Sequence, residues 1–122
     1  MAKKVYTVPE LIKKAQVVFN AYIRKRDSGL PCISCGSSNP NQAGHYLSAG
    51  HHSVHRFNEK NVHLQCSRCN LYLSGNPISY RINLVKKIGA DQVEILEGTR
   101  HNKKKWDRLE LETIINEYKN QL

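Results

Sequence analysis

The chain of 122 residues has an ordinary hydrophobic content of 39% and a strongly basic balance, with a formal net charge of +9. This length predicts a single domain over residues 1–122, and no apolar run is long enough to suggest a membrane span. Met1 to Gly89 carries 13 Lys and Arg residues against three acids, whereas the rest of the chain is nearly neutral. Such a basic segment favours nucleic acid as the partner, although a solvated basic surface is the simpler alternative.

The first predicted element is a helix over residues 8–27. Thr7 and Glu10 have the spacing of a capping box, and apolar residues then recur at helical intervals. The outer face of this helix carries the basic side chains of Arg24, Lys25 and Arg26. They either contact phosphate or form an ordinary solvated helix face.

Residues 77–122 are expected to form further helices. Pro77 opens a predicted helix that ends at Gly89, and a short helix over 91–97 follows. The residues expected to face inward on the helix that begins at Pro77 are Ile78, Ile82, Val85 and Ile88. Asp107 and Glu110 cap a last helix.

All four cysteines fall into two C-x-x-C pairs, Cys32 with Cys35 and Cys66 with Cys69. Two such pairs can supply four thiolates to one tetrahedral ion, so we predict a structural zinc site. Two disulfides or a redox-active pair fit less well, because the N-terminus lacks the apolar stretch of a secretory signal and neither pair lies in a βαβ context. Reduced thiolates and the missing signal indicate a cytoplasmic protein.

The interval between the two cysteine pairs is unusually long. Simple zinc ribbons separate their pairs by about 15–20 residues, whereas 30 residues lie between Cys35 and Cys66. We expect a short strand around His45, a mobile loop, a second strand over 61–65, and a helix that begins near Cys69 and Asn70. The predicted fold class is therefore α+β, with a zinc-stapled core over residues 30–76 flanked by α-helices.

This order of elements resembles the ββα-metal (HNH) nuclease motif, and in particular its zinc-stapled, endonuclease VII-like members. The resemblance implies that a first-strand histidine is the general base, that an asparagine orients it, and that a residue on the helix binds a catalytic divalent metal. The matching positions here are His45, Asn61 and Asn70. The single carboxylate between Ser28 and Ala90 is Glu59, so a carboxylate-bridged two-metal site is not expected, and one Mg²⁺ or Mn²⁺ fits better.

A longer resemblance links the chain to the NinG (Rap) family of lambdoid phage recombination proteins from about Leu11 to Leu122. Four of the segments that carry it are Ala43-Gly44-His45-Tyr46, Gln65-Cys66, Cys69-Asn70 and Ser74-Gly75-Asn76. It implies a phage-encoded, structure-specific endonuclease that acts in the bacterial host on branched DNA such as Holliday junctions and D-loops. Two departures stand out: longer members carry an additional basic, cysteine-containing N-terminal region, and many have Asp where this chain has Gln42.

Further residues are assigned less directly. His51, His52 and His63 are candidate additional metal ligands, with a solvated or packed histidine as the alternative for each. Outside the first helix, the basic residues proposed to contact DNA are Arg56, Lys60, Arg68, Arg81, Lys86 and Lys87. Symmetric cleavage of a four-way junction needs two active sites, so we predict a homodimer that associates through the first or last helix. The rival functions are a non-catalytic zinc-ribbon DNA-binding protein and an HNH nuclease that cuts ordinary duplex.

Overall fold

A computed structural model describes residues 5–122. Residues 1–4 lie outside this range, and they belong to the N-terminal stretch in which no secretory signal is expected. The helices are α1 (Val8–Arg26), α2 (Pro77–Ile88), α3 (Ala90–Gly98) and α4 (Arg108–Lys119). Two strands, β1 (Gln42–His45) and β2 (Val62–Gln65), pair antiparallel, with Gly44 opposite His63. Within the described residues this is an α+β arrangement, as the sequence predicts.

Both capping boxes form as expected. Thr7 N donates to Glu10 Oε1 at 3.0 Å while Glu10 N donates to Thr7 Oγ1 at 3.3 Å, so two backbone N–H groups at the start of α1 gain partners. Asp107 and Glu110 make the same reciprocal pair at α4, with distances of 3.2 and 2.8 Å. The cap signals therefore placed the starts of both helices correctly.

The two-stranded sheet lies between two pairs of helices. α1 packs against α4 around Phe19, Ile23 and Leu111, and this cluster includes Val62 of β2. α2 packs against α3 around Tyr80, Leu84 and Val93 in a second cluster. Because helices cover the sheet from two sides, every residue of β2 is buried. Successive side chains of β2 point to opposite faces of the sheet, and both faces are covered by protein.

Gly44 is required by the pairing of the two strands. A Cβ atom at this position would lie 1.9 Å from Gln65 Oε1 and 2.9 Å from Gln65 Cβ. The carbonyl oxygen of Gly44 accepts a hydrogen bond from the buried Tyr80 hydroxyl at 2.7 Å, which ties β1 to α2. The glycine that precedes His45 thus lets the strand come close enough to its neighbours to fix the histidine's position.

One sequence prediction of local structure is confirmed and one is wrong. The helix expected to begin near Cys69 and Asn70 is present, as a π-helical turn over Arg68–Tyr72. On α2 the buried residues are Tyr80 and Leu84, whereas Ile78 and Ile82 are 79% and 54% exposed. The orientation of α2 follows its polar anchors: besides the Tyr80 bond, Asn83 Nδ2 donates to the Ile33 carbonyl at 2.8 Å.

Candidate active site and metal cluster

The four cysteine sulfurs converge on one point, as predicted. The Sγ atoms of Cys32, Cys35, Cys66 and Cys69 all lie within 4.8 Å of one another, and the Cys35 and Cys66 sulfurs are 3.7 Å apart. Four sulfurs at about 2.3 Å from a tetrahedral zinc ion would be about 3.8 Å apart, so this donor set fits zinc. The four clustered cysteines can therefore bind one zinc ion.

Hydrogen bonds to the sulfurs support the same interpretation. The backbone N–H groups of Cys35 and Cys66 donate to Cys32 Sγ at 3.5 and 3.3 Å, and that of Cys69 donates to Cys66 Sγ at 3.5 Å. Asn76 Nδ2 approaches Cys69 Sγ at 3.6 Å. Donors aimed at sulfur stabilise thiolates, which are the metal-binding form of cysteine.

A small cavity beside this cluster brings together two of the residues singled out in the sequence. It has a volume of about 250 Å³, and its lining comprises Ala43, His45, Ser48, Ala49, Asn70, Ser74 and Gly75. His45 comes from the end of β1, whereas Asn70 comes from the π-helical turn after the second cysteine pair. The fold thus places an imidazole and an amide from segments 25 residues apart in the chain at one water-accessible site.

The ring orientation of His45 is fixed by backbone. Its Nε2 lies 3.0 Å from the carbonyl oxygen of Arg56, and because a carbonyl can only accept, this contact requires the proton on Nε2. The other nitrogen, Nδ1, is then the acceptor of the neutral ring. Burial of the ring lowers the pKa of His45, and the nearby Arg56 guanidinium lowers it further, against the opposing effect of the carbonyl contact. The neutral form is therefore favoured at pH 7.

Gln16 of α1 contributes to the site and was missed by the sequence analysis. Its Oε1 accepts a hydrogen bond from Arg56 Nε at 3.0 Å, and its Nε2, which donates to Asn20 Oδ1 at 2.8 Å, lies 3.5 Å from His45 Nε2. The signal was present in the sequence: Gln16 and Asn20 are polar residues four positions apart, next to the buried face of α1. The pair connects the helix to the segment that carries Arg56 and His45.

Asn61 supports the loop between the strands. It is fully buried, its Nδ2 donates to the carbonyls of Leu47 and His55 at 2.9 and 3.1 Å, and its Oδ1 accepts from Leu47 N at 2.9 Å. These bonds hold both ends of the loop whose Arg56 carbonyl orients His45. The resemblance implied that Asn61 orients the His45 ring directly. In the structure the Arg56 carbonyl orients this ring, and Asn61 stabilises the loop before Arg56.

Asn70 is oriented by Gln42, which lies on β1. Asn70 Nδ2 donates to Gln42 Oε1 at 2.7 Å, which leaves Oδ1 as the remaining polar atom of the Asn70 amide. Oxygen is the ligand that Mg²⁺ and Mn²⁺ prefer, and the Ser48 and Ser74 hydroxyls line the same cavity. The Asn70 amide oxygen and the two serine hydroxyls are all uncharged oxygen donors.

Glu59, the single acid in the central sequence, is engaged elsewhere. Its two carboxylate oxygens accept hydrogen bonds from the Tyr22 and Tyr118 hydroxyls, each at 3.0 Å. This carboxylate therefore joins α1, α4 and the loop before β2, and its role is structural.

The remaining histidines of the central region are held by other contacts. His63, a proposed ligand, is buried: Arg26 Nη2 lies 3.2 Å from its Nδ1, its Nε2 donates to the Lys60 carbonyl at 2.8 Å, and burial lowers its pKa to about 4. His52 Nδ1 donates to the Arg100 carbonyl at 2.9 Å, and His51 Nδ1 lies 3.0 Å from Ser48 Oγ. Both His63 nitrogens are occupied, so its assignment as a metal ligand is wrong.

Several of the proposed DNA-contacting cations are committed to structural interactions. Arg26 donates two hydrogen bonds to the buried carboxylate of Asp27, at 2.9 and 3.0 Å, and Lys87 donates another at 3.0 Å. Arg81 makes a bidentate pair with Glu97 at 2.8 and 3.0 Å. The assignment of Arg26, Lys87 and Arg81 to DNA binding is therefore not supported by their positions, because DNA contact would compete with these bonds.

The other proposed cations are more accessible. Lys25 Nζ lies 2.8 Å from the Gln121 carbonyl and Lys60 Nζ donates to Gln92 Oε1 at 2.6 Å, both at exposed positions. Three more are also exposed: Arg24, Arg68 and Lys86. The Arg56 guanidinium lies near the cavity: its Nη1 is 3.4 Å from the carbonyl oxygen of Ala49, which lines the cavity.

The described residues thus define an α+β domain with a four-cysteine cluster next to a cavity lined by His45 and Asn70. The chain belongs to the NinG family: the family model described as "Bacteriophage Lambda NinG protein" matches residues 2–122. It is 44% identical over 113 residues to "Protein ninG" of Escherichia phage lambda, covering 91% of this chain and 55% of the relative. The corresponding values are 42%, 91% and 55% for "Protein ninG" of Salmonella phage P22.

The chain spans about half the length of these curated relatives. No solved structure matches it. Among the described residues, none of the helices combines the length and the apolar character needed to cross a membrane.

Proposed function

We propose that this chain is a metal-dependent, structure-specific DNA endonuclease that hydrolyses phosphodiester bonds in branched recombination intermediates such as Holliday junctions and D-loops. One observation carries the proposal: His45 and Asn70 line the same cavity, and the contact between His45 Nε2 and the Arg56 carbonyl makes Nδ1 the proton acceptor. A base with a fixed tautomer beside an oriented amide oxygen supports hydrolysis of a phosphate ester.

In the proposed mechanism, His45 Nδ1 accepts a proton from the water whose oxygen forms the new bond to phosphorus. The bond between phosphorus and the 3′ oxygen breaks, and the departing oxygen is protonated by solvent. A divalent cation, when bound at Asn70 Oδ1, supplies charge neutralisation at the phosphate and the leaving oxygen. Gln42 holds the Asn70 amide with its oxygen available. Arg56 binds the phosphate. Burial lowers the pKa of His45 and the charge of Arg56 lowers it further, so the ring is neutral at pH 7.

The charge distribution supports DNA as the substrate. The residues up to Gly89 carry a strong positive excess, and exposed cations lie on α1, on the π-helical turn and on α2. These positive charges favour phosphate contacts, which carry no sequence information, so recognition is expected to depend on DNA shape.

The test compares cleavage of a synthetic four-way junction with that of a linear duplex of the same sequence. The zinc-loaded chain is incubated with Mg²⁺, with Mn²⁺, or with no added divalent ion, so that the cysteine cluster is not stripped by a chelator. His45→Ala and Asn70→Ala are compared with His101→Ala, a matched control whose exposed histidine lies outside the cavity lining. Products are resolved on a denaturing gel.

The unsubstituted chain and His101→Ala should cut the junction in the presence of added metal, whereas His45→Ala and Asn70→Ala should be slower by about 10²- to 10⁴-fold. Binding without cleavage by every variant would support a zinc-ribbon DNA-binding protein instead. Equal cleavage of junction and duplex would identify a nuclease without structural preference.

We also propose that the active form is a homodimer, since paired cuts in a four-way junction require two active sites. The α1–α4 face offers a candidate surface: a cavity of about 460 Å³ beside Val17, which is 68% exposed. Light scattering of the unsubstituted chain should give the mass of a dimer, and Val17→Asp should give a monomer. A monomer at working concentration, with and without junction DNA, would contradict this arrangement.

A further inference from the structure

Three apolar residues in succession are exposed at the mouth of the candidate active site. Leu71, Tyr72 and Leu73 are 63%, 82% and 43% exposed, and we call them the apolar turn. The residues immediately before and after it, Asn70 and Ser74, both line the cavity that contains His45. Large apolar side chains that are exposed together at the edge of a site indicate a contact with a ligand or partner.

The backbone holds the apolar turn in a defined conformation. Leu73 N donates to the Arg68 carbonyl at 2.9 Å, which closes the π-helical turn, and Gly75 N donates to the Cys69 carbonyl at 2.8 Å. Single π-helical turns occur frequently at functional sites. The turn is therefore fixed to the cysteine cluster and presents its side chains in one arrangement.

The segment that follows the turn is held in an uncommon conformation. Ser74, Gly75 and Asn76 have φ angles of 50°, 88° and 44°, a region that non-glycine residues rarely adopt. The Gly75 carbonyl accepts a hydrogen bond from the buried Gln65 side chain at 2.7 Å, which anchors this segment to β2. Side chains presented on a fixed backbone lose little further freedom when they bind.

We propose that the apolar turn binds unstacked bases at the branch point of the DNA substrate, with the Tyr72 ring as the stacking surface. This inference rests on the proposed endonuclease function and names what its site recognises. In ordinary duplex both faces of each base are covered by neighbours, whereas bases at a branch point can be uncovered. An aromatic ring stacks on any base, so the contact reads structure without reading sequence.

Charge complementarity favours DNA over a second copy of the chain or another protein as the occupant. Arg68 is exposed one turn before Tyr72, Lys86 is exposed on α2, and the segment from Met1 to Gly89, which contains the turn, carries the positive excess of the chain. Cations that bind the backbone next to a ring that stacks on a base are the usual combination in proteins that bind single-stranded nucleic acid. Within residues 67–80 Arg68 is the one cation and there is no acid, so a symmetric contact between two copies of the turn would gain no ion pair.

The experiment measures binding in the His45→Ala background with no added divalent ion, so that cleavage plays no part. Four-way junctions carry the fluorescent base 2-aminopurine at the branch point or within an arm. Tyr72→Ala is compared with Tyr72→Phe and with Leu109→Ala, a matched control that removes a similarly exposed apolar side chain (74%) from α4. Zinc content and the midpoint of thermal unfolding verify that each variant is folded.

Tyr72→Ala should weaken junction binding by about 5- to 100-fold and leave linear-duplex binding unchanged. It should also remove the fluorescence change at the branch point, whereas Tyr72→Phe and Leu109→Ala should retain both. Equal weakening on junction and duplex, no weakening on either, or no binding of the junction by the His45→Ala chain would overturn the proposal.

A change of mass in light scattering on Tyr72→Ala would instead show that a second copy occupies the turn, and would also overturn the proposal. Cleavage by the unsubstituted chain is recorded separately on the same junction. A chain that binds the junction but does not cut it would contradict the endonuclease proposal. The binding data for Tyr72→Ala would still test whether the ring stacks on branch-point bases.

Discussion

Replacement of Asp27 by Asn should destabilise the zinc-loaded protein substantially. Asp27 lies just after α1, and its side chain is 3% exposed. Its carboxylate accepts two hydrogen bonds from Arg26, one from Lys87 Nζ and one from Leu64 N, all between 2.9 and 3.0 Å. One buried group therefore joins the end of α1 to β2 and to α2.

The size of the effect follows from the pKa of Asp27. Burial alone would raise this pKa, but the hydrogen bonds from Arg26, Lys87 and Leu64 overcome it and lower the pKa from 3.8 to about 2. At about 1.4 kcal/mol for each pKa unit, the native environment favours the ionised form by about 2 to 3 kcal/mol. Breaking a buried ion pair by removing one partner costs about 3 to 5 kcal/mol, because the remaining charges lose their compensation. We therefore expect Asp27→Asn to lose about 3 kcal/mol.

Urea unfolding of the zinc-loaded protein measures this loss, with Glu94→Gln on α3, an exposed acid, as the control. The contribution of a carboxyl whose folded pKa is depressed is present above its unfolded pKa of about 4 and is lost as the pH falls through 2. The difference between Asp27→Asn and the unsubstituted protein should therefore be the same at pH 5.5 and pH 8. A difference below about 0.5 kcal/mol, or one equal to that of Glu94→Gln, would refute the assignment of this network.

Three further predictions concern the strand pair, the base and the metal cluster. Gly44→Ala should lower the free energy of unfolding by about 2 to 4 kcal/mol in urea titration, because the new Cβ would lie 1.9 Å from Gln65 Oε1 and displace that buried side chain. The rate of junction cleavage should rise with pH as His45 becomes neutral, and the midpoint of this rise should lie below the ordinary histidine pKa of 6.5, since burial and Arg56 lower the pKa of His45. Arg56→Gln should move this rise to higher pH. Removal of zinc by a chelator should lower the thermal midpoint and expose the four free thiols to a thiol reagent.

Each of these predictions has a contradicting outcome. Normal stability of Gly44→Ala would mean that β1 and β2 are not as closely paired as described. An Arg56→Gln profile displaced to lower pH would show that the guanidinium does not act on His45 by its charge. A chelated protein that keeps its thermal midpoint would show that the cysteine cluster does not depend on a metal.

Local signals in the sequence were sufficient where a single interaction decides the structure. The reciprocal bonds of Thr7 with Glu10 form over three residues, so they are readable from the sequence and place the start of α1 correctly. The two C-x-x-C pairs predicted the sulfur cluster because each pair lies on a tight turn whose geometry is local. The resemblance to the ββα-metal motif, which stays a prediction, brought His45 and Asn70 to attention before their shared cavity was known. The resemblance to the NinG family is confirmed over residues 2–122.

Interactions between residues distant in sequence account for what could not be predicted. The apolar pattern of α2 allows more than one buried face, and the choice was made by the Tyr80 hydroxyl on the Gly44 carbonyl and by Lys87 on Asp27, partners 36 and 60 residues away. For the same reason Lys87 looks like a surface cation in the sequence, although the Asp27 carboxylate, 60 residues away, accepts a hydrogen bond from it. Charge counted along the sequence therefore overestimates the cations available for DNA. We therefore expect a branched substrate to be recognised by the cations that are exposed, such as Arg68 and Lys86, together with the apolar turn beside Asn70.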